Sequence, residues 1–107
     1  MKLNRKSFSY KEVVDAKGIQ LVIEDGSTVI PRNIFESRDD IYSAVFPDTL
    51  KVIEQEAFYY AGLETLELPS SIQEIDQYAF SGNKLTKLKI DNLNLSSLAD
   101  EAFGTTN

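Results

Sequence analysis

Apolar and polar residues alternate in four short stretches of the chain, QLVIE (20–24), YSAVFP (42–47), ETLELP (64–69) and TKLKID (86–91). A period of two marks a strand with one buried face, so each stretch predicts a strand. Leu21 and Ile23, Ala44 and Phe46, Leu66 and Leu68, and Leu88 and Ile90 are the positions predicted to point into a core. The alternate positions form two outward ladders, Gln20, Ser43, Thr65, Lys87 and Val22, Val45, Glu67, Lys89.

Between these stretches runs a second repeated pattern. Four octets align, TVIPRNIF, KVIEQEAF, QEIDQYAF and SSLADEAF, each closing on a phenylalanine, at positions 35, 58, 80 and 103. Each also carries an aliphatic residue five positions earlier: Ile30, Ile53, Ile75 and Leu98. The period of roughly 22 to 23 residues lies in the range of solenoid repeats, in which one unit cannot bury its apolar face alone and stacking makes a continuous core. One turn of coil is then a strand, a corner, a short extended piece and a tight turn closing on Phe. Pro47 and Pro69 suit the corner, where a fixed φ and a missing N–H are tolerated. Asp91 stands where the other turns have Pro, and the stretch Asn92 to Ser97 has one extra residue, which predicts a looser last corner. The Phe column is predicted to be the spine of the core, with Phe58 and Phe80 more critical than Phe35 and Phe103 near the ends.

These residues resemble the BspA-type bacterial leucine-rich repeats. The matching positions are Leu63, Leu66, Leu68, Pro69, Ile72, Ile75, Ala79 and Phe80, with Leu50, Ile53, Ala57 and Phe58 one turn earlier. The resemblance covers roughly Ile19 to Phe103. It implies a mainly β fold: a right-handed leucine-rich-repeat solenoid of about four turns, with a parallel sheet on one face and an N-terminal cap. Residues 1–18 would form the cap and residues 19–107 the solenoid. Members of the family are commonly surface or secreted proteins whose repeats present a binding surface, which implies an interaction module. The chain departs from the pattern in having Ala61 or Gly82 where many family repeats have Cys, and Asn83 after the Phe resembles the Cys-less variants.

The N-terminal segment admits two structures. As a hairpin, Phe8, Tyr10, Glu12 and Val14 alternate, and Asp15-Ala16-Lys17-Gly18 supplies the turn. As a helix, Ser9 and Glu12 form a capping box and Gly18 the stop, with Tyr10, Val13, Val14 and Lys17 at helical spacing. The hairpin is preferred, and either would cap the coil. After the fourth Phe comes only GTTN. The last strand is therefore expected to protect its edge with Lys84, Lys87 and Lys89, or to be covered by further repeats or a partner.

Composition narrows the chemistry. There is no Cys and no His, which removes disulfides, thiolate catalysis and the commonest general base and metal ligand. With 11 Lys and Arg against 17 Asp and Glu, the net charge of -6 disfavours nucleic acid and anionic lipid. No apolar run is long enough for a membrane span, and the first residues do not read as a secretory signal. Cytoplasmic location is expected if the chain is complete, and cell-surface or secreted location if it is a fragment of a longer exported protein. The carboxylates Glu36, Asp39 and Asp40, like Asp25 and Asp91, lack the spacing of a calcium loop and read as solvated turn residues. Glu54, Glu56, Asp76, Asp100 and Glu101 recur at repeated positions, as a solvated outer face requires. No metal, cofactor or catalytic residue is expected.

The binding candidates lie on the outward ladders and on a set of tyrosines. Val22 and Val45 place apolar residues side by side on the sheet face, read either as a contact patch or as ordinary strand formers. Glu67 beside Lys89 is an opposite-charge pair, read either as local stabilisation or as a partner contact. Tyr42, Tyr59, Tyr60 and Tyr78 fall outside the inward pattern, where Tyr offers large area at low entropic cost or simply covers the rim of the core. The expected function is a non-catalytic interaction module that presents the sheet face, with Tyr59, Tyr60 and Tyr78 beside it, to a protein or glycan partner. The alternative is a scaffold that self-associates by stacking through its uncapped ends.

Overall fold

Stacked turns are stable only if the backbone of each layer bonds to the next, because a buried N–H or C=O left unpaired costs as much as a lost hydrogen bond. In the computed structural model of the chain, which describes residues 7–90, 95–99 and 101–104, this requirement is met at three stations around the coil. The elements are β1 (Tyr10–Asp15), β2 (Gly18–Ile23), β3 (Val29–Ile30), β4 (Ile41–Val45), β5 (Val52–Ile53), β6 (Thr65–Leu68), β7 (Glu74–Ile75), β8 (Lys87–Ile90) and β9 (Ser97–Leu98), and none of the described residues is helical.

The alternating stretches form the first station, with β2 parallel to β4 and β6 parallel to β8. The short strands β3, β5, β7 and β9 form a second, parallel ladder in which Ile30, Ile53, Ile75 and Leu98 lie in register. The third station is the Phe turn. Phe35 N donates to Ala57 O at 2.9 Å, Phe58 N to Ala79 O at 2.8 Å and Phe80 N to Ala102 O at 2.7 Å. Flanking bonds follow the same rule, such as Asn33 N to Gln55 O at 3.2 Å and Tyr60 N to Ser81 O at 2.8 Å.

This third ladder bends sharply because left-handed residues flank each Phe. The residue two before Phe has φ near 60° in every layer, at Asn33 (59°), Glu56 (58°), Tyr78 (61°) and Glu101 (61°). The residue two after it is left-handed at Ser37 (62°), Tyr60 (54°) and Gly82 (80°). Such a conformation costs roughly 1–2 kcal/mol for a residue with a Cβ, so the interlayer bonds and the buried rings must offset it. One level closer to the sheet, Asn83 is buried and fully bonded: its Oδ1 accepts from Leu63 N at 2.9 Å, and its Nδ2 donates to Phe58 O and Phe80 O at 2.8 Å each. Gly62 is required where the backbone of the preceding turn comes close, since a Cβ there would lie 2.4 Å from Asp39 O.

Ladder spacing sets the packing of the core. Strands neighbour one another at about 4.8 Å, so identical side chains in successive turns stack nearly on top of one another. Phe35, Phe58, Phe80 and Phe103 form a column with ring centroids 5.2, 5.4 and 5.3 Å apart. Around it Leu21, Ile30, Leu50, Ile53, Leu63, Leu68 and Ile75 are buried. The register between β2 and β4 slips by one residue at Tyr42, pairing Ile19 with Ile41 but Gln20 with Ser43. The slip buries both Ile41 and Ala44 and leaves Tyr42 half-exposed at the side.

The two ends differ. Of the two conformations open to the N-terminal segment, the chain has the hairpin, with β1 antiparallel to β2. Residues before it continue the cover: Thr28 N donates to Ser7 O at 2.8 Å, at the edge of β3. Phe8 and Tyr10 then close the Phe column, with ring centroids 6.2 and 5.0 Å from Phe35. Phe35 is accordingly only 1% exposed, as deeply buried as the inner rings, so its truncation is expected to cost as much as theirs, in place of the smaller cost expected for a ring near the end.

At the other end Leu88 and Ile90 pair in register with Leu66 and Leu68, yet Leu88 is 46% and Leu98 53% exposed. Burial of Leu88 fails because no described strand covers the far edge of β8. The corner at Asp91 and Asn92, like Asp100, lies outside the described residues.

A polar cluster fastens the hairpin to the coil. Tyr42 Oη donates to Asp15 Oδ2 at 2.5 Å and Gln20 Nε2 to the same oxygen at 3.1 Å, while Asp15 Oδ1 accepts from Lys17 N and Gly18 N in the turn. Lys17 reaches Glu64 at 2.8 Å and lies over the Tyr42 ring. These bonds, led by that from Tyr42, hold Asp15 at about 2, below its ordinary 3.8.

Truncation of the inner rings, Phe58→Ala or Phe80→Ala, is expected to cost about 3–5 kcal/mol, with Phe35→Ala in the same range and Phe103→Ala less. Denaturant unfolding with four equal, small losses would show the register to be wrong. The contribution of Asp15 is complete above its unfolded value and is lost as pH falls from about 3.8 toward about 2. Asp15→Asn should therefore lower the unfolding midpoint at pH 6, with the gap to the parent protein much narrowed by pH 2. A gap that persists unchanged at pH 2 would show that the carboxylate charge is not what holds the hairpin.

Candidate functional site

Strand alternation places one side chain in two on the outer sheet face, and the register aligns them. Gln20 lies opposite Ser43 and Val22 opposite Val45, while Thr65 lies opposite Lys87 and Glu67 opposite Lys89. The structure thus assembles each outward ladder in two halves. Val22 is half-buried, but Val45 is 54% exposed, well beyond Ala44 and Leu66 on the inner side. Lys89 Nζ stands 3.7 Å from Glu67 Oε2 with both side chains mostly in water, a geometry worth at most a few tenths of a kcal/mol.

Between the two halves the sheet is divided. β4 closes one sheet and β6 opens another, and Glu64 N reaches back to Tyr42 O at 2.9 Å just before β6 begins. A shallow groove of about 340 Å³ lies over this seam, with Val45 and Thr65 beside it and Lys87, Lys89 and Glu67 along it. Ser43, Ala44, Leu66 and Leu88 complete its lining. Its rim offers both signs of charge. Such a surface can bury an apolar side chain and orient it by hydrogen bonds and charge, but it brings no two titratable groups together in an enclosed site.

The tyrosines gather elsewhere, on the Phe turns. Tyr59 and Tyr60 follow Phe58, and Tyr78 precedes Phe80, so stacking brings all three to one flank. Tyr59 meets Tyr60 edge-on at 4.8 Å between centroids and Tyr78 at 6.0 Å. With Ser81, Glu101 and Gly104 they line a recess of about 310 Å³. A hydrogen bond to Glu101, followed by the charge of that carboxylate, raises the Tyr78 phenol above its ordinary value. Tyr42 does not join them, being held at the hairpin by Asp15.

The carboxylates of the turns are engaged by neighbouring donors. Arg38 bonds Asp40 at 3.1 Å and Glu12 at 3.2 Å, and its guanidinium lowers Asp40. Glu54 accepts from Arg32 N and Glu56 from the Asn33 amide. Among the described residues no three acidic groups converge to hold a metal ion. Nor is any helix there long and apolar enough to cross a membrane.

Sequence reading identified Tyr59, Tyr60 and Tyr78, with Ser81 as the residue that replaces Tyr59 one turn on, but not Glu101 and Gly104 as their neighbours. The available signal was the change of residue two positions after Phe, from Tyr60 in one turn to Gly82 in the next, which leaves space above the glycine for the ring. The division between β4 and β6 had no signal, because YSAVFP and ETLELP occupy the same place in successive repeats.

Comparison with known proteins agrees with this architecture. The family model described as the BspA-type leucine-rich repeat region, six copies, matches residues 20–107. No curated protein and no solved structure gives a significant match to the chain.

Proposed function

The chain belongs to the BspA-type leucine-rich repeat family, and from that premise we propose that it is a non-catalytic binding module whose outer sheet face holds a protein or glycan partner. Repeat modules of this kind are often used for interaction, and their solenoids are typically non-catalytic. The observation that carries the finer reading is Val45, an apolar side chain 54% exposed at the lip of the groove over the β4–β6 seam. Apolar surface of this kind, rimmed by Thr65, Glu67, Lys87 and Lys89, has the composition of a contact patch with a polar edge. Gln20, Ser43 and Val22 extend the same face toward the hairpin.

A second reading, end-to-end self-association, is favoured by Leu88 and Leu98, exposed where no described strand lies beyond them, and by Val14, 74% exposed on the hairpin. Tail-to-tail stacking would set Lys87 and Lys89 against their own copies, so a head-to-tail contact is the form that charge allows. Sedimentation over a range of concentrations distinguishes the two, since a partner-binding module stays monomeric.

Changing Val22, Val45 and Glu67 together to Ser, Ser and Gln should weaken capture of a partner by about tenfold or more, the effect of losing one or two central contacts. The circular dichroism spectrum and unfolding midpoint should be preserved. Binding unchanged in this variant would remove the sheet face from consideration.

A further inference from the structure

The tyrosine recess is built from segments other than the sheet strands and has its own chemistry. Three aromatic rings line it, and Glu101 adds a carboxylate already hydrogen-bonded to Tyr78. Glu56 is close enough to act on the Tyr78 phenol as well. None of the described lining residues is Lys or Arg, so no cation of the chain's own fills the recess from within that lining.

The rings are held there against backbone preference. Tyr60 and Tyr78 both have φ in the left-handed region, at 54° and 61°, where bulky residues are uncommon. The places equivalent to Tyr78 are taken by Asn33, Glu56 and Glu101, and those equivalent to Tyr60 by Ser37 and Gly82, so Tyr60 is the bulky residue of its set. Beneath Tyr60 the chain has Gly82, and a Cβ at that position would lie 2.5 Å from the Tyr60 ring. The ring therefore lies flush on bare backbone, and the layer below is shaped to receive it. Ser81 is buried, its hydroxyl donating to Glu101 O at 2.9 Å, which ties the next turn under the rings.

We propose that this recess binds a guanidinium group, the side chain of an arginine displayed by a partner protein. Ring quadrupoles attract a cation placed over their faces, and the attraction grows as water is excluded. A planar guanidinium also stacks on tyrosine and directs its N–H groups in a fork to a carboxylate, here Glu101, and to phenol oxygens. A quaternary ammonium has no N–H for these acceptors, and a metal ion would need the converging carboxylates that the described residues lack. The net charge of -6 attracts a basic partner at longer range. This inference goes beyond the sheet-face reading and does not depend on it.

The test is a titration of the full 107-residue chain, isotopically labelled, with Nα-acetyl-argininamide, followed by amide resonances in two-dimensional NMR. Saturable shifts are expected at Tyr59, Tyr60, Ser81, Gly82 and Gly104, with Val45 and Glu67 on the sheet face unmoved. Glu101→Gln should weaken the binding about three- to fivefold, as loss of one exposed charge partner does. Tyr60→Gly should abolish it without lowering the thermal midpoint, because glycine relieves the left-handed backbone. A neutral peptide with one central arginine should bind at least as tightly as methylguanidinium, and the reverse order would overturn the assignment to a partner protein. The proposal fails if argininamide gives no saturable shift, if both variants bind as the parent does, or if maltotriose produces the same shifts.

Discussion

The whole molecule depends on the interlayer hydrogen bond. Every turn of the coil must rise by one strand spacing and must present its backbone groups to the next turn at the same stations. That constraint explains why the repeat tolerates almost any residue on its outer positions but keeps Phe at 35, 58, 80 and 103. It also explains the left-handed residues that flank each Phe. Only a sharp reversal of the chain lets Phe35 N, Phe58 N and Phe80 N reach the next layer while the ring turns inward. The column of rings at 5.2–5.4 Å is the consequence of that rise, with centroids at the distance that offset aromatic pairs favour.

A stack built this way has two ends, and the chain treats them differently. At the hairpin end, β1 pairs with the free edge of β2, Ser7 bonds the start of the next ladder, and Phe8 and Tyr10 cover Phe35. The cluster of Asp15, Lys17, Gln20, Tyr42 and Glu64 then fastens the hairpin with bonds that acid would release. The other end shows Leu88, between Lys87 and Lys89, and Leu98 half in water. The same inward pattern is thus core in one layer and surface in another.

The candidate sites arise where the repetition is broken. Val45 against Glu67 changes the chemistry of one outward ladder at the point where the sheet divides, and Tyr60 against Gly82 lets one ring settle on the backbone of the layer below. Both differences are visible as text. The groove over the seam and the recess beside Glu101 are not, because each is a space between turns and not a property of any one turn. Asn83 is similar: its position after Phe could be read, but its three buried bonds to Leu63, Phe58 and Phe80 could not.

The sequence by itself determined the coil. Period-two alternation named Leu21, Ile23, Ala44, Leu66 and Leu68 as inward, and the recurrence of Phe set the length of each turn, because both are local patterns that every layer must satisfy. Whether an inward residue is buried was decided by the tertiary structure, since burial depends on what lies in the next layer. Phe35 is covered by the hairpin, and Leu88 has no described strand beyond it. Three-dimensional packing alone also decided that the Tyr42 hydroxyl bonds Asp15 of the hairpin, at the place where the register between β2 and β4 slips by one residue. Register between strands distant in sequence is a relation between layers, and no single repeat encodes it.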